Sequence, residues 1–147
     1  MTQTTVRNPD FEAVVRRSFA RQGLMSHLGA ELASVTPGAV DIEVTFRPEL
    51  TQQHGYFHAA VTTAITDTAC GYSALTLMPD GSEVLTVEFK INLIAPAQGD
   101  RLVARGRVIR SGRTITVCQG EAFGVRDGGR THCATMTATM MRVDLPS

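Results

Sequence analysis

The longest stretch of apolar and small residues runs from position 58 to position 78, and Asp67 carries its only formal charge. At helical spacing Asp67 lies on a stripe of small residues, which are Ala60, Ala64, Gly71 and Ala74. A second stripe carries the larger side chains of Val61, Ile65, Tyr72 and Leu75. The pattern predicts a helix that is buried on most sides and whose small stripe lets another backbone come close. A carboxylate there is costly unless it has partners or lies in a wet cleft, so Asp67 is the first candidate for chemistry.

Segments that alternate apolar and polar residues between turn signals predict strands. They span residues 31–36, 39–46, 84–95, 101–110, 114–123 and 131–143. Before them, Asn8-Pro9-Asp10 predicts the start of an amphipathic helix, and residues 24–28 a short second helical turn. The order is therefore helix, two strands, long helix, four strands. It predicts an α+β fold whose antiparallel sheet has one face wrapped on the buried helix, with its other side or edge left to a partner chain.

Composition limits the possible partners. With 147 residues, 43% of them hydrophobic, the chain is long enough for one domain over residues 1–147, including an N-terminal helical segment at 1–28. The formal net charge is +0, so neither nucleic acid nor an anionic membrane is expected as the main partner. No apolar run approaches the ~18 residues of a membrane span, and the N-terminus lacks the apolar core of a secretory signal. We therefore expect a cytoplasmic protein.

Several kinds of chemistry find no support in the sequence. Cys70, Cys118 and Cys133 have neither CxxC pairing nor zinc spacing, so we expect reduced core thiols and no metal site. There is no Walker loop, GxGxxG, HExxH or Ser-His-Asp signature. Phosphoryl transfer, dinucleotide redox chemistry and metalloprotease activity are therefore not indicated, and no cofactor is expected.

One set of spacings carries a family resemblance. Gln52 is followed by Gly55, then by His58-Ala59-Ala60, and then by Asp67 nine residues after the histidine. The pattern resembles the hotdog-fold acyl-CoA thioesterases, specifically the phenylacetate-degradation (PaaI-like) branch, which has Asn, Gly, His-Gly-Gly and an acidic residue at these positions. The likeness covers roughly residues 29–142. It implies a hotdog fold, an antiparallel sheet around one long central helix, here with an extra N-terminal helix.

Two positions depart from the family pattern. Gln52 replaces Asn, which keeps an amide but moves it by one methylene, and Ala59-Ala60 replace Gly-Gly. Ala59 keeps its backbone N–H, although its methyl group restricts how closely an acyl group approaches. These departures bear on substrate range and rate more than on mechanism.

Hydrolysis of a thioester requires donors that polarise the carbonyl and a carboxylate that activates or orients water. The start of the long helix offers unpaired N–H groups, and the N–H of Ala59 or Ala60 is the candidate donor. Asp67 is the candidate base, but it lies about 12 Å further along the helix, at ~1.5 Å per residue. The resemblance implies that two long helices run antiparallel in a homodimer, so that Asp67 of one subunit meets the helix start of the other. Two sites per dimer follow, and we expect the dimers to pair into a homotetramer.

The resemblance also assigns roles to neighbouring residues. It implies that His58 orients the Gln52 loop or the carbonyl, and His58 ranks below Asp67 as a general base. Thr86 matches a family position whose hydroxyl helps to hold the water. Gln52 either positions the thioester or satisfies the backbone of its own loop, and Gly55 and Ala60 are expected substrate contacts. We interpret the remaining conspicuous side chains as loop, core or interface residues: His54, Cys70 and Tyr72.

Five of the thirteen arginines lie between positions 101 and 113, on one predicted strand pair. Arginine binds phosphate bidentately, and the turn at Ser111-Gly112 adds backbone donors. Arg110, Ser111, Gly112 and Arg113 are therefore candidates for binding the phosphates of coenzyme A. For any single arginine, an ion pair at a solvated strand edge is the simpler interpretation.

The sequence thus predicts an acyl-CoA thioesterase that hydrolyses an acyl- or aryl-acyl-CoA to free acid and CoA. Its expected partners are that small-molecule thioester and further copies of itself. Two alternatives stay open. One is a non-catalytic acyl-CoA binding module with the same fold, since a fold does not guarantee activity. The other is an enoyl-thioester hydratase or dehydratase, which would use His58 and an acid on the helix.

Overall fold

The computed structural model describes residues 4–144, which form three α-helices, one short 3-10 helix and six strands. In chain order they are α1 (Phe11–Ala20), α2 (Gly23–Leu28), β1 (Ala30–Thr36), β2 (Ala39–Thr45), the 3-10 helix (Pro48–Leu50), α3 (Ala59–Leu75), β3 (Glu83–Leu93), β4 (Arg101–Ser111), β5 (Ile115–Arg126) and β6 (Gly129–Val143). The six predicted strands and the long helix are confirmed, with their ends displaced by a few residues. α3 ends at Leu75 because the next residues bond three positions back: the N–H groups of Leu77 and Met78 donate to the carbonyls of Ala74 and Leu75.

All six strands belong to one antiparallel sheet in the order β1-β2-β4-β5-β6-β3. α3 packs against β2, β3, β4, β5 and β6, so nearly the whole sheet lies against this helix. The predicted hotdog architecture, an antiparallel sheet around one long helix, is therefore confirmed, and α1 is the extra N-terminal helix. β3, the first strand after α3, forms one outer edge of the sheet and, among residues 4–144, pairs only with β6.

Two glycines bring the sheet backbone against the middle of α3. Gly106 of β4 and Gly120 of β5 face each other in register. A Cβ on Gly106 would lie 2.4 Å from the Ala69 carbonyl, and one on Gly120 would lie 2.6 Å from the Thr66 methyl group. The close backbone approach within the chain therefore occurs on the face of α3 that carries Ala69. The predicted small stripe is a different face, on which Ala60 is exposed and Ala64 and Gly71 are partly exposed.

The free edge at β3 is apolar and exposed. Leu85, Val87, Phe89 and Leu93 are each at least 40% exposed, as is Ile94 just beyond the strand. An unpaired edge strand with apolar side chains is a ready site for pairing with another strand. This edge is a suitable surface for the predicted partner chain, and the binding of such a chain stays a prediction.

The N-terminal helices cover α3 near its C-terminal half. Val15 of α1 and Met25 of α2 are buried, and the Phe19 ring lies 6.2 Å from the Tyr72 ring of α3. The predicted start of α1 is confirmed in a modified form: Asp10 is the N-cap position but its side chain makes no cap bond. Instead Asn8 Oδ1 accepts a hydrogen bond from the Asp10 N–H at 3.0 Å.

No helix within residues 4–144 combines the length and the apolar character needed to cross a membrane. Cys70, Cys118 and Cys133 are free and buried, as predicted for core thiols. Burial raises the pKa of the Cys118 thiol to about 12 and raises that of Cys70 further, so both thiols stay protonated at neutral pH.

Candidate active site

Asp67 lies on the partly exposed face of α3 and is bound by a side chain of β3. The Thr86 hydroxyl donates a hydrogen bond to Asp67 Oδ1 at 2.8 Å and lies 3.5 Å from Met140 Sδ of β6. Burial raises the pKa of Asp67 above its ordinary 3.8, and the bond from Thr86 partly offsets this rise. A half-buried carboxylate with a raised pKa and one fixed oxygen is suited to accept a proton from water.

A cleft of about 290 Å³ opens beside Asp67. It is bounded by α3, by the first residues of β3, by Met140 and, on its remaining side, by the N-terminal helices. The N-terminal helices and the short connection between them contribute Ser18, Gln22 and Leu24. The sequence did not suggest that these residues line the site, because nothing in the pattern of α1 indicates which part of α3 it covers.

The start of α3 presents one free backbone donor. His58 is the N-cap residue, and its Nδ1 accepts a hydrogen bond from the Ala60 N–H at 2.9 Å. The Val61 N–H donates to the His58 carbonyl at 2.9 Å. The Ala59 N–H has no acceptor among residues 4–144. Of the two predicted donors, Ala60 is therefore already engaged, and Ala59 alone is left to polarise a carbonyl.

The bond to Ala60 also bears on the roles predicted for His58. Its Nδ1 lone pair is used in the cap, so this nitrogen is not free to act as a base. His58 holds the helix start by its side chain and also by its own N–H, which donates to the Leu50 carbonyl at 2.9 Å. No hydrogen bond joins the described side chains of His58 and Gln52. That His58 orients the Gln52 loop or the carbonyl stays a prediction.

The Gln52 side chain organises its own loop. Its Oε1 accepts hydrogen bonds from the N–H groups of His54 and Tyr56, while its Nε2 has no partner within residues 4–144. Gly55, with φ +82°, closes this loop through an N–H bond to the Gln52 carbonyl at 3.0 Å. Both interpretations of Gln52 therefore stay compatible with the geometry, since its oxygen satisfies the loop and its amide N–H₂ is free to donate.

A second cleft, of about 500 Å³, lies at the start of α3. Gln52, Ala59 and Thr62 line it together with an apolar wall from the end of β3 and the loop after it, residues 93–97. Exposed His54 and the predicted contact Gly55 line a different depression, beside Phe46 and Asp100. Gln52 and Ala59 thus line one cleft, whereas Gly55, although bonded to the Gln52 carbonyl, lines another.

The two clefts have no residue in common, so one chain does not bring Asp67 and Ala59 to the same carbonyl. They are eight positions apart on α3, a rise of about 12 Å. β3 connects the clefts, because Thr86 lines the first and Leu93 the second. Each chain therefore carries two separate clefts with candidate site residues, one near each end of its free edge strand.

The predicted phosphate-binding arginines divide into two groups. Arg101 pairs with Glu43, while Arg105 and Arg107 both pair with Asp41. Arg110 and Arg113 have no carboxylate partner among residues 4–144.

Arg110 and Ser111 line a third cleft, with Arg7 and residues of the β1–β2 turn. Gly112 was expected to supply a backbone donor there, and this expectation is wrong for its N–H. The Gly112 N–H donates to the Ile115 carbonyl at 2.8 Å within the hairpin turn and is not free for a ligand.

The family of the chain follows from comparison with known proteins. The family model of the thioesterase superfamily matches residues 54–131, which include the helix start, Asp67 and Thr86. The chain belongs to the thioesterase superfamily. The predicted class of enzyme, a thioester hydrolase with a hotdog fold, is confirmed at this level.

Solved structures give the same result. A thioesterase family protein from Silicibacter pomeroyi is 44% identical and has a TM-score of 0.90, over 92% of this chain and 99% of that chain. A thioesterase from Haemophilus influenzae is 19% identical with a TM-score of 0.81, over 99% and 98% of the two chains. The E. coli PaaI protein from the phenylacetic acid degradation operon is 17% identical with a TM-score of 0.82, over 95% and 96%. The last two share the fold with this chain, which agrees with the predicted PaaI-like resemblance.

Proposed function

We propose that the protein is an acyl-CoA thioesterase that hydrolyses an acyl- or aryl-acyl-CoA to the free acid and CoA. The observation that supports this most strongly is the pair of half-sites: a half-buried carboxylate held by Thr86, and a free helix-start N–H beside a free amide. Together they supply the base and the carbonyl donors that thioester hydrolysis requires.

In the proposed reaction the thioester oxygen accepts hydrogen bonds from the Ala59 N–H and from Gln52 Nε2. The positive end of the α3 dipole stabilises the charge that develops on this oxygen. Asp67 takes a proton from a water molecule, whose oxygen forms a bond to the carbonyl carbon. The C–S bond then breaks, and the proton passes from Asp67 to the departing CoA thiolate. The chemistry proceeds with these residues alone, so we propose no metal or cofactor.

We further propose that each active site forms across a homodimer. In a two-fold symmetric interface each partner uses the same patch. If the free edges of two β3 strands pair antiparallel, the Thr86 end of one strand lies beside the Leu93 end of the other. Asp67 of one subunit then faces the Ala59 cleft of its partner, and the exposed apolar side chains of β3 become covered. Two sites per dimer result, and pairing of dimers into a homotetramer is part of the same proposal.

Arg110 and Arg113 are the proposed contacts for the CoA phosphates, since carboxylates do not neutralise them in the described structure. Ser111 adds a hydroxyl donor in the same cleft as Arg110. We place the protein in the cytoplasm, because its three free thiols fit a reducing compartment. The dehydratase alternative is weakened by the engagement of His58 Nδ1 in the helix cap.

The test is a thiol-release assay on purified protein with a panel of acyl- and aryl-acyl-CoA esters. Asp67→Asn should lower turnover about 10²- to 10⁴-fold, the usual contribution of a general base. Asp127→Asn is the matched control, since it makes the same chemical change in the exposed β5–β6 turn. Full activity of Asp67→Asn would contradict the mechanism. Binding of CoA esters without turnover by the wild type would favour the binding module, and hydration of an enoyl-CoA without thiol release the hydratase.

A further inference from the structure

The Asp67 cleft ends at a polar network that the proposed chemistry does not use. Tyr72 Oη accepts a hydrogen bond from Gln22 Nε2 at 2.9 Å and shares another with Ser18 Oγ at 3.0 Å. Tyr72 is 3% exposed, whereas Ser18 and Gln22 are half-buried and line the cleft. The network therefore joins α1 and its C-terminal end to α3 and fixes the Gln22 amide at the cleft wall.

The position of this network indicates which part of a thioester enters the cleft. The N-terminal helices line the cleft together with α3 and the start of β3, and buried Tyr72 is part of the same lining. The acyl group ends within the protein, whereas CoA must lead out to solvent. Buried Tyr72 in its lining therefore assigns the Asp67 cleft to the acyl group and leaves CoA on the side of the second cleft.

The free polar groups at the end of the cleft are hydrogen-bond acceptors. Gln22 Nε2 is engaged by Tyr72, which leaves Gln22 Oε1 without a partner among residues 4–144. Glu83 adds a half-buried carboxylate to the same lining, and its Oε1 lies 4.0 Å from Nη2 of the exposed Arg21. A substrate group there is favoured if it donates a hydrogen bond, and a second carboxylate is disfavoured by Glu83.

We propose that α1 and α2 form the specificity element of the enzyme, and that Gln22 selects a compact acyl group whose far end carries a hydroxyl. This inference rests on the proposed thioesterase function. A cavity of ~150 Å³ holds a benzene ring, so a cleft of about 290 Å³ is suited to a single ring or a chain of about six carbons. Tyr72 acts as a positioning residue, because it holds the Gln22 amide with its oxygen towards the cleft.

The experiment compares three CoA esters of matched length: heptanoyl-CoA, which ends in a methyl group, 6-hydroxyhexanoyl-CoA and adipoyl-CoA. For the wild type, kcat/KM should be about 3- to 10-fold higher for the hydroxyl than for the methyl ester, the range of one neutral hydrogen bond. Adipoyl-CoA should be the poorest of the three. A hydroxyl-to-methyl ratio of one or less in the wild type overturns the proposal.

Gln22→Leu removes the acceptor and should bring the hydroxyl-to-methyl ratio close to one. Tyr72→Phe keeps the Gln22 amide but frees it, so the ratio should fall part of the way, whereas Ser26→Ala on the exposed side of α2 should leave it unchanged. If Gln22→Leu alters KM equally for all three esters, the cleft holds the pantetheine arm and the proposal fails. Absence of thiol release by the wild type from these esters and from the whole panel of acyl- and aryl-acyl-CoA esters would instead contradict the proposed function itself.

Discussion

The Thr86 hydroxyl on β3 donates to Oδ1 of Asp67 on α3 across 2.8 Å. This bond ties the edge strand to the helix at the point where the carboxylate faces its cleft. It occupies one oxygen of Asp67 and leaves Oδ2 without a partner among residues 4–144, so Oδ2 is available to a water molecule. The bond also favours the ionised form of the carboxyl group, which burial disfavours by raising its pKa.

Removing this hydroxyl should therefore slow hydrolysis. Thr86→Val keeps the shape of the side chain but deletes the donor, and kcat should fall about 10- to 100-fold, as expected for a hydrogen bond to a charged group. Thr86→Ser is the matched variant, and it should retain most of the activity. Equal activity of the valine and serine variants would show that the hydroxyl does not contribute to the reaction.

The raised pKa of Asp67 should be visible in the pH dependence of the enzyme. As a base Asp67 must be ionised, so kcat/KM should fall on the acid side with a midpoint above 3.8. In Thr86→Val this midpoint should move further up, because the bond that lowers the pKa is lost. A midpoint at or below 3.8 in the wild type would contradict the assignment of Asp67 as the base.

The same shift predicts a pH-dependent effect on stability. A carboxyl group with a raised pKa in the folded state favours folding while it is protonated, and this contribution is lost as the pH rises through the folded pKa. The Asp67→Asn variant has no carboxyl group at this position, so it does not lose stability in this way as the pH rises. Its Tm should exceed that of the wild type at pH 7, and the difference should disappear at about pH 3.5. Thermal scans at both pH values measure this, and an unchanged difference would count against the burial effect.

The Ala59 donor can be removed with little effect on the fold. Ala59 is the first residue of α3, where proline is well tolerated, and His58 has φ −62° and ψ 140°, which suit a residue before proline. Ala59→Pro should lower kcat about 10²- to 10³-fold, the usual effect of losing one oxyanion donor. Ala59→Gly keeps the N–H and should stay active. Retained activity of the proline variant would exclude this N–H as the donor.

The glycines beneath α3 provide a separate test of the packing. A Cβ on Gly106 would lie 2.4 Å from backbone atoms of Ala69, which do not yield as a side chain does. Gly106→Ala should cost about 1–3 kcal/mol or more and lower Tm by roughly 3–10 °C. Gly23→Ala is the control, since a Cβ there meets nothing within 4 Å. Equal Tm values would show that α3 and β4 are less closely packed than described.

Much of the fold could be predicted from the sequence because alternation and helical spacing are local. Asp67 stood out for the same reason, as the one charge in an apolar helix. Which arginines form ion pairs could not be predicted, because the pairing depends on strand register. Asp41 faces Arg105 only through the pairing of β2 with β4, and this ion pair removes Arg105 and Arg107 from the phosphate-binding candidates.

The residues that the N-terminal helices contribute to the Asp67 cleft could not be predicted from the sequence either. Ser18 and Tyr72 are 54 positions apart, and their hydrogen bond exists only because α1 docks on α3. The amphipathic pattern of α1 predicts that it packs on something, without indicating what. By contrast, the free Ala59 N–H follows from local structure, since the first N–H groups of a helix have no acceptor within it and the His58 side chain engages that of Ala60.

In the proposed dimer each active site combines Asp67 of one subunit with Ala59 of the other, and mixing of two variant subunits is the sharpest test of this arrangement. Asp67→Asn and Ala59→Pro subunits would be co-expressed with different tags, and thioester hydrolysis measured per subunit. Random pairing makes half of the dimers mixed, and one of the two sites in each mixed dimer is intact. The mixture should therefore have about a quarter of wild-type activity, although each parent variant alone is nearly inactive. Activity no higher than the average of the two parents would contradict it.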